Sequence, residues 1–124
     1  MTMPHECMRA LRWGGEALEE IGLDTTLTDE IRARAMALRS AYPEAEALKQ
    51  LVAEGVHGLP QAWADAMCAA LDLFEGIQFG GHGSKETRHT LLFTLRHYPN
   101  QHTIEVMARG DALAWWLGPE DRPL

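Results

Sequence analysis

Apolar residues recur every three or four positions through the first half of the chain, and each run is bounded by a residue that starts or stops a helix. Met8, Leu11, Leu18 and Ile21 share one stripe of a helix predicted from about Pro4 to Ile21. Pro4 suits its first turn, where a missing N–H costs nothing, and Gly22 suits its stop. Thr28 predicts the cap of a second helix, because its hydroxyl can accept from the free amides of the first turn. Ile31, Ala35, Leu38 and Tyr42 then follow at helical spacing. Pro43 ends that helix and can open a third, which buries Leu48, Leu51 and Val52 and stops at Gly55. A fourth helix from Pro60 to Glu75 places Trp63, Met67, Ala70, Leu71 and Phe74 on one face.

The pattern after Gly80 supports two readings. Residues 90–95 and 103–108 are rich in Thr, Leu, Phe, Ile and Val, and Ile104 to Ala108 alternate apolar and polar. That predicts a hairpin turning at Pro99-Asn100, with Ala112 to Leu117 as a third strand. The other reading comes from shifting the chain against itself by 56 positions. Pro4 then meets Pro60, Ala10 meets Ala66, Glu19 meets Glu75, Ile21 meets Ile77, Glu30 meets Glu86 and Arg32 meets Arg88. Tyr42-Pro43 meets Tyr98-Pro99, and the cap Thr28 meets Ser84. On this register Thr87, Leu91, Leu95 and Tyr98 mark a helix and Asn100 caps a sixth. The expected fold is therefore all-α, with two tandem three-helix units sharing a core, one over residues 1–56 and one over 57–124. The alternative is α+β, with N-terminal helices and a C-terminal antiparallel sheet.

Met3-Pro4-His5-Glu6 followed by Arg9-Ala10, together with Leu95-Arg96-His97-Tyr98-Pro99, resembles a family of short proteobacterial proteins. These open Met-Pro-His/Tyr-Glu-Arg-Thr-Arg-Ala and end their second helix in Leu-Arg-His-Tyr-Pro. Leu38-Arg39-Ser40-Ala41-Tyr42-Pro43 is similar to the same ending with one extra residue, while Cys7-Met8 stand where the family has Arg-Thr. The resemblance implies helix for residues 85–98 and carries over no catalytic residue.

Charge and composition narrow the function. The 124 residues carry 18 acidic and 11 basic side chains, a net charge of −7. No basic block exists to displace counterions from a nucleic acid, so direct nucleic-acid binding is not expected. No apolar run reaches the length of a membrane span and no signal-peptide pattern opens the sequence, so a cytoplasmic protein with no membrane partner is expected. Cys7 and Cys68 make no disulfide framework and suit a reducing compartment.

No catalytic set emerges from the residue types. His5, Cys7, His57, Cys68, His82, His89, His97 and His102 include no pair three or four apart, the spacing a helical metal site wants. Neither a metal nor a cofactor is expected. Ser40 and Ser84 lie outside any nucleophile elbow, and Cys7 and Cys68 read as small apolar fillers. The loop Gly80-Gly81-His82-Gly83-Ser84-Lys85 lacks the Gly-Lys-Ser/Thr order of a phosphate loop. His82, Ser84 and Lys85 remain the residues a ligand, or a small hydrolase or transferase, would use there; a connector with a helix cap is the plainer reading.

Trp13 gives the sharper signal. At 100° per residue it projects away from the core stripe of the first helix, among Arg9, Glu6, Glu16 and Glu20. A tryptophan ringed by charge suits a protein interface, with packing on the second unit as the plainer alternative. Gly14-Gly15 in mid-helix point to close approach by another helix backbone. Trp115 and Trp116 are expected to divide between core and rim. These features favour a small acidic, non-enzymatic module that binds a protein partner, with homodimerisation through Trp13 one version. Another is a mobile-element inhibitor, such as an anti-CRISPR protein, whose carboxylates fill a basic groove meant for nucleic acid.

Overall fold

The computed structural model describes residues 2–54, 58–110 and 113–118. Among the described residues seven helices follow one another: α1 (Pro4–Leu23), α2 (Asp29–Ala41), α3 (Ala45–Ala53), α4 (Gln61–Gly80), α5 (Lys85–His97), α6 (Gln101–Ala108) and the single turn α7 (Leu113–Trp116). Among the described residues there is no strand, so the protein is all-α and the hairpin reading of residues 90–108 is wrong. The third strand expected over 112–117 is α7 where it is described; residues 111–112 lie outside the described residues. No described helix is long and apolar enough to cross a membrane.

Propensity lost to periodicity in α5 for a visible reason. Thr87, Leu91 and Thr94 are buried at helical spacing and lead to buried Tyr98. The residue equivalent to Leu38 is thus Thr94; Leu95, which had been expected on the core stripe, is half-buried. Its threonines and Phe93 suit a strand in isolation, but a strand would put Leu91 and Thr94, three residues apart, on opposite faces, breaking this stripe.

Three N-termini are capped as the sequence predicts. Thr28 Oγ1 accepts from Ile31 N at 3.2 Å, Ser84 Oγ from Thr87 N at 3.1 Å and Asn100 Oδ1 from Thr103 N at 2.8 Å. α1 runs two residues past its expected stop, to Leu23, and α4 extends five past Glu75, to Gly80. Gly81 ends α4 with φ of 69°, a left-handed cap that glycine adopts without strain. α3 starts at Ala45 after Glu44, two residues later than Pro43 would have set it.

The helix lengths recur along the chain. α1 and α4 each have 20 residues, α2 and α5 each have 13, and α3 and α6 have 9 and 8. Yet the halves interleave: α1 packs on both α2 and α5, while α4 packs on α2, α5 and α6. One core results, built on Leu11, Leu18, Ile21, Met67, Phe74 and Ile77 of the two long helices, all 2% exposed or less. The expected boundary at 56–57 and the expected stop at Gly55 lie outside the described residues.

At the centre stand the two tyrosines of the repeated Tyr-Pro. Tyr42 Oη donates to Leu11 O at 2.6 Å, and Tyr98 Oη donates to Met67 O at 2.9 Å. Donor and acceptor are 31 residues apart in each case, and the two bonds are themselves 56 residues apart. The hydroxyls lie 3.4 Å from one another. Burial raises both phenols well above their ordinary range, so they act as neutral donors. Gly14 meets these rings rather than another helix backbone, which corrects the expectation for Gly14-Gly15. A Cβ at Gly14 would fall 2.6 Å from Tyr42 Oη and 2.9 Å from Tyr98 Cε2.

Candidate functional site

Trp13 is half-buried on α1, and the Arg9 guanidinium lies over its ring at 5.1 Å. Arg9 is one helical turn earlier, so the pair forms by helix geometry alone. On its other side Trp13 borders a cleft of about 340 Å³ against α5, shared with Glu16, His89, Thr90, Phe93 and Thr94. Trp13 therefore stands at the edge of the α1–α5 packing, between the two readings its helical position allowed. His89 and Phe93 meet edge to face with ring centres 4.8 Å apart.

The other residues expected around Trp13 separate. Glu16 stays beside it and pairs with Arg12 at 3.1 Å. Glu20 is half-buried farther along the helix. Glu6 turns to the N-terminus, where Oε1 accepts from Met3 N at 2.8 Å and Oε2 lies 3.0 Å from His97 Nε2. The Met3 amide outweighs the opposing effect of burial and, with smaller help from His97, His5 and Arg9, holds the Glu6 carboxyl below its usual range. Glu19 ion-pairs with Arg39 at 2.9 Å, which removes the need to explain its place near the C-terminal end of α1 by partner binding. Much of the acidic surface is thus engaged within the molecule.

The glycine-rich loop is spoken for in the same way. Ser84 caps α5, and its own N–H donates to Asp24 Oδ2 at 2.8 Å. Asp24 Oδ1 accepts from Thr26 N at 2.9 Å and from Thr26 Oγ1 at 2.6 Å. Burial works against the Asp24 charge, but these donors outweigh it and hold the carboxyl far below its usual range. An internal carboxylate thus occupies the place a phosphate would take at this helix start. His82 is exposed with its ring beside Gly80, Lys85 is exposed, and Ser84 is engaged in the α5 cap. Among the described residues no three metal-ligating side chains converge. Burial pushes the Cys7 thiol up to about 12, which fits a filler and not a nucleophile.

Another cleft, about 650 Å³, lies between Met3, Cys7, Tyr98, Pro99, Trp115 and Trp116. Its main polar side chains are already used: His97 Nδ1 meets Thr2 Oγ1 at 3.1 Å, and Asn100 caps α6. Trp116 is half-buried there at the rim of the core, while Trp115 is 75% exposed, so the pair divides one step farther out than the core and rim expected.

What sequence reasoning missed is an apolar face on α4 and α5. Phe79 is 80% exposed, Leu92 58% and Phe93 43%. They line a groove of about 570 Å³ with Gln78, Leu95 and Arg96. Phe93 also borders the Trp13 cleft, so the two depressions share a wall. Gln78, which lines one, and Thr94, which lines the other, each carry a buried side-chain oxygen with no hydrogen bond among the described residues. The available signal was that Phe79 falls beyond the expected end of α4 and that Leu92 follows directly on the core residue Leu91. No family model matches this chain, and comparison with curated proteins and with solved structures finds no similar protein.

Proposed function

We propose that this chain is a non-enzymatic module that binds a protein partner through the face running from Trp13 over Phe93 and Leu92 to Phe79. One observation carries the reading: three large apolar side chains stand exposed side by side and continue into a tryptophan cleft. Scattered apolar residues on a surface need no explanation, whereas contiguous ones around a groove mark interaction sites. Trp13 with Arg9 stacked on it supplies the residue types that dominate binding hot spots. The expected docking through carboxylates is less favoured, because Glu6, Glu16 and Glu19 are held in internal ion pairs.

A photo-crosslinking residue placed at Leu92, and in a second strain at Met36 on α2, tests this in the native host. The expected result is an adduct with one protein from position 92 and none from position 36, lost in Phe79→Ser. Equal adducts from both positions, or none from either, would remove the reading.

A further inference from the structure

We infer that the segment received by this face is an acidic amphipathic helix of a partner protein. The inference rests on the docking face proposed above and adds the chemistry of its occupant. α5 carries Lys85, Arg88 and Arg96 on the same stripe as Leu92, all four exposed. None of these three cations forms an ion pair among the described residues. Elsewhere in the molecule Arg12, Arg32, Arg39 and Lys49 each have a carboxylate partner, while Arg9 lies over the Trp13 ring and Arg34 on α2 forms no ion pair among the described residues. The chain has a net charge of −7, yet among the described residues no carboxylate pairs with the basic strip beside its exposed apolar groove. That arrangement suits a ligand bringing its own carboxylates on the flanks of an apolar ridge.

The same charges weigh against the other occupants. A second copy docking α5 on α5 would set Lys85, Arg88 and Arg96 against their own images. An anionic bilayer or a nucleic acid would meet the basic strip but be repelled by the surplus of negative charge on the rest of the molecule. The receiving surface is a groove between two helices, the shape that takes an amphipathic helix, and the described residues contain no strand edge for an extended segment to join. From Lys85 to Arg96 the strip runs roughly 16 Å along α5, about three turns of a docked helix.

The probe is a fluorescent peptide of about 18 residues, roughly 27 Å as a helix, with Leu and Phe on one stripe and Glu beside it. Its twin carries Lys in place of every Glu. Both are titrated against the full chain by anisotropy, with amide shifts of the labelled protein reporting position. The glutamate peptide is expected to bind with shifts at Phe79, Leu92, Phe93 and Arg96, and Lys85→Glu/Arg88→Glu to weaken it about tenfold or more. Raising salt from about 50 to about 300 mM should weaken it further, since the flanking charges are exposed. These cations are exposed and glutamate suits the first turn of a helix, so helicity should be unchanged. Arg96→Gln is the second variant should the double one misfold, with a smaller loss in the same direction.

Several outcomes overturn the inference: equal binding of the lysine twin, no binding of the glutamate peptide at about 100 µM, or indifference to both charge variants. Binding of phosphatidylserine vesicles that is lost in the same variants overturns it too, as does sedimentation showing self-association through α5. If position 92 crosslinks a partner in the host while Lys85→Glu/Arg88→Glu leaves that adduct intact, the acidic helix fails and the docking face stands. If Phe79→Ser leaves it intact as well, both fail.

Discussion

α2 and α5 are built alike and meet solvent differently. Each has 13 residues, starts on a hydroxyl cap and ends at a buried tyrosine whose Oη reaches a carbonyl of a long helix. Their inward residues differ only in size and polarity, with Ile31, Ala35 and Leu38 on one and Thr87, Leu91 and Thr94 on the other. Outward, Asp29, Arg32, Met36 and Ser40 of α2 become Lys85, Arg88, Leu92 and Arg96 of α5 at the same register. On α2, Arg32 pairs with Asp29 within the helix and Arg39 reaches Glu19 of α1 and Glu44 beyond its own end. On α5, Lys85, Arg88 and Arg96 form no ion pair among the described residues, and Leu95 and Phe93 stand where α2 has Arg39 and Ala37. Even the exposed apolar pair recurs, since Leu23 and Met36 (77% and 48% exposed) stand where Phe79 and Leu92 do. Buried positions tolerate little change because interiors are close-packed, whereas surface substitutions cost little and are free to acquire a role. Two halves sharing a skeleton thus separate what the fold needs from what binding needs.

The comparison breaks most readily at its centre. Gly14 and Ala70 hold equivalent places on α1 and α4, and Gly14 has both tyrosine rings against it. Gly14→Ala is expected to destabilise by about 3 kcal/mol through overpacking against Tyr42 and Tyr98, and Ala70→Gly by about 1 kcal/mol through helix propensity. Urea midpoints measure both; equal losses would mean that the centre is as tight on one side as on the other.

Next come the tyrosines themselves. Tyr42→Phe and Tyr98→Phe each leave a buried carbonyl without its donor and should cost similar amounts, about 1–2 kcal/mol. Because the hydroxyls lie 3.4 Å apart, the double variant should cost less than the sum. Unequal single losses would show that the two bonds are alike in geometry and not in energy.

The smallest effect concerns a contact that has no mirror image. Asp24 ties the end of α1 to the start of α5, and its counterpart at position 80 is a glycine. Its carboxyl is held below the usual value when folded, so its contribution is present above the unfolded value of about 4 and fades as pH falls below it. Asp24→Asn should lower stability at pH 7 by about 1 kcal/mol and should flatten the loss between about pH 5 and 3. A variant that loses stability with acid as steeply as the parent would assign that loss to other carboxylates.

Much of this architecture could be read along the chain. Helix starts at Thr28, Ser84 and Asn100, the inward stripes and the recurrence of Tyr-Pro all depend on residues within a turn or two, or on plain self-comparison. Those relations are local, so one dimension contains them. Which readings failed is equally instructive. The strand expected at residues 90–108 rested on propensities that shift with context, and it gave way once Leu91 and Ile104 needed a common interior. Gly14 announced a close approach without saying that tyrosines 28 and 84 residues away would make it. Trp13 showed its charged ring of neighbours by angle alone, but not that Glu6 would leave for His97 or that Phe93 would form the far wall of its cleft. The same holds for the free cations of α5 and the carboxylate at Ser84. Partners far apart in sequence are chosen by how the helices pack, and packing is a property of the whole interior that no single segment encodes.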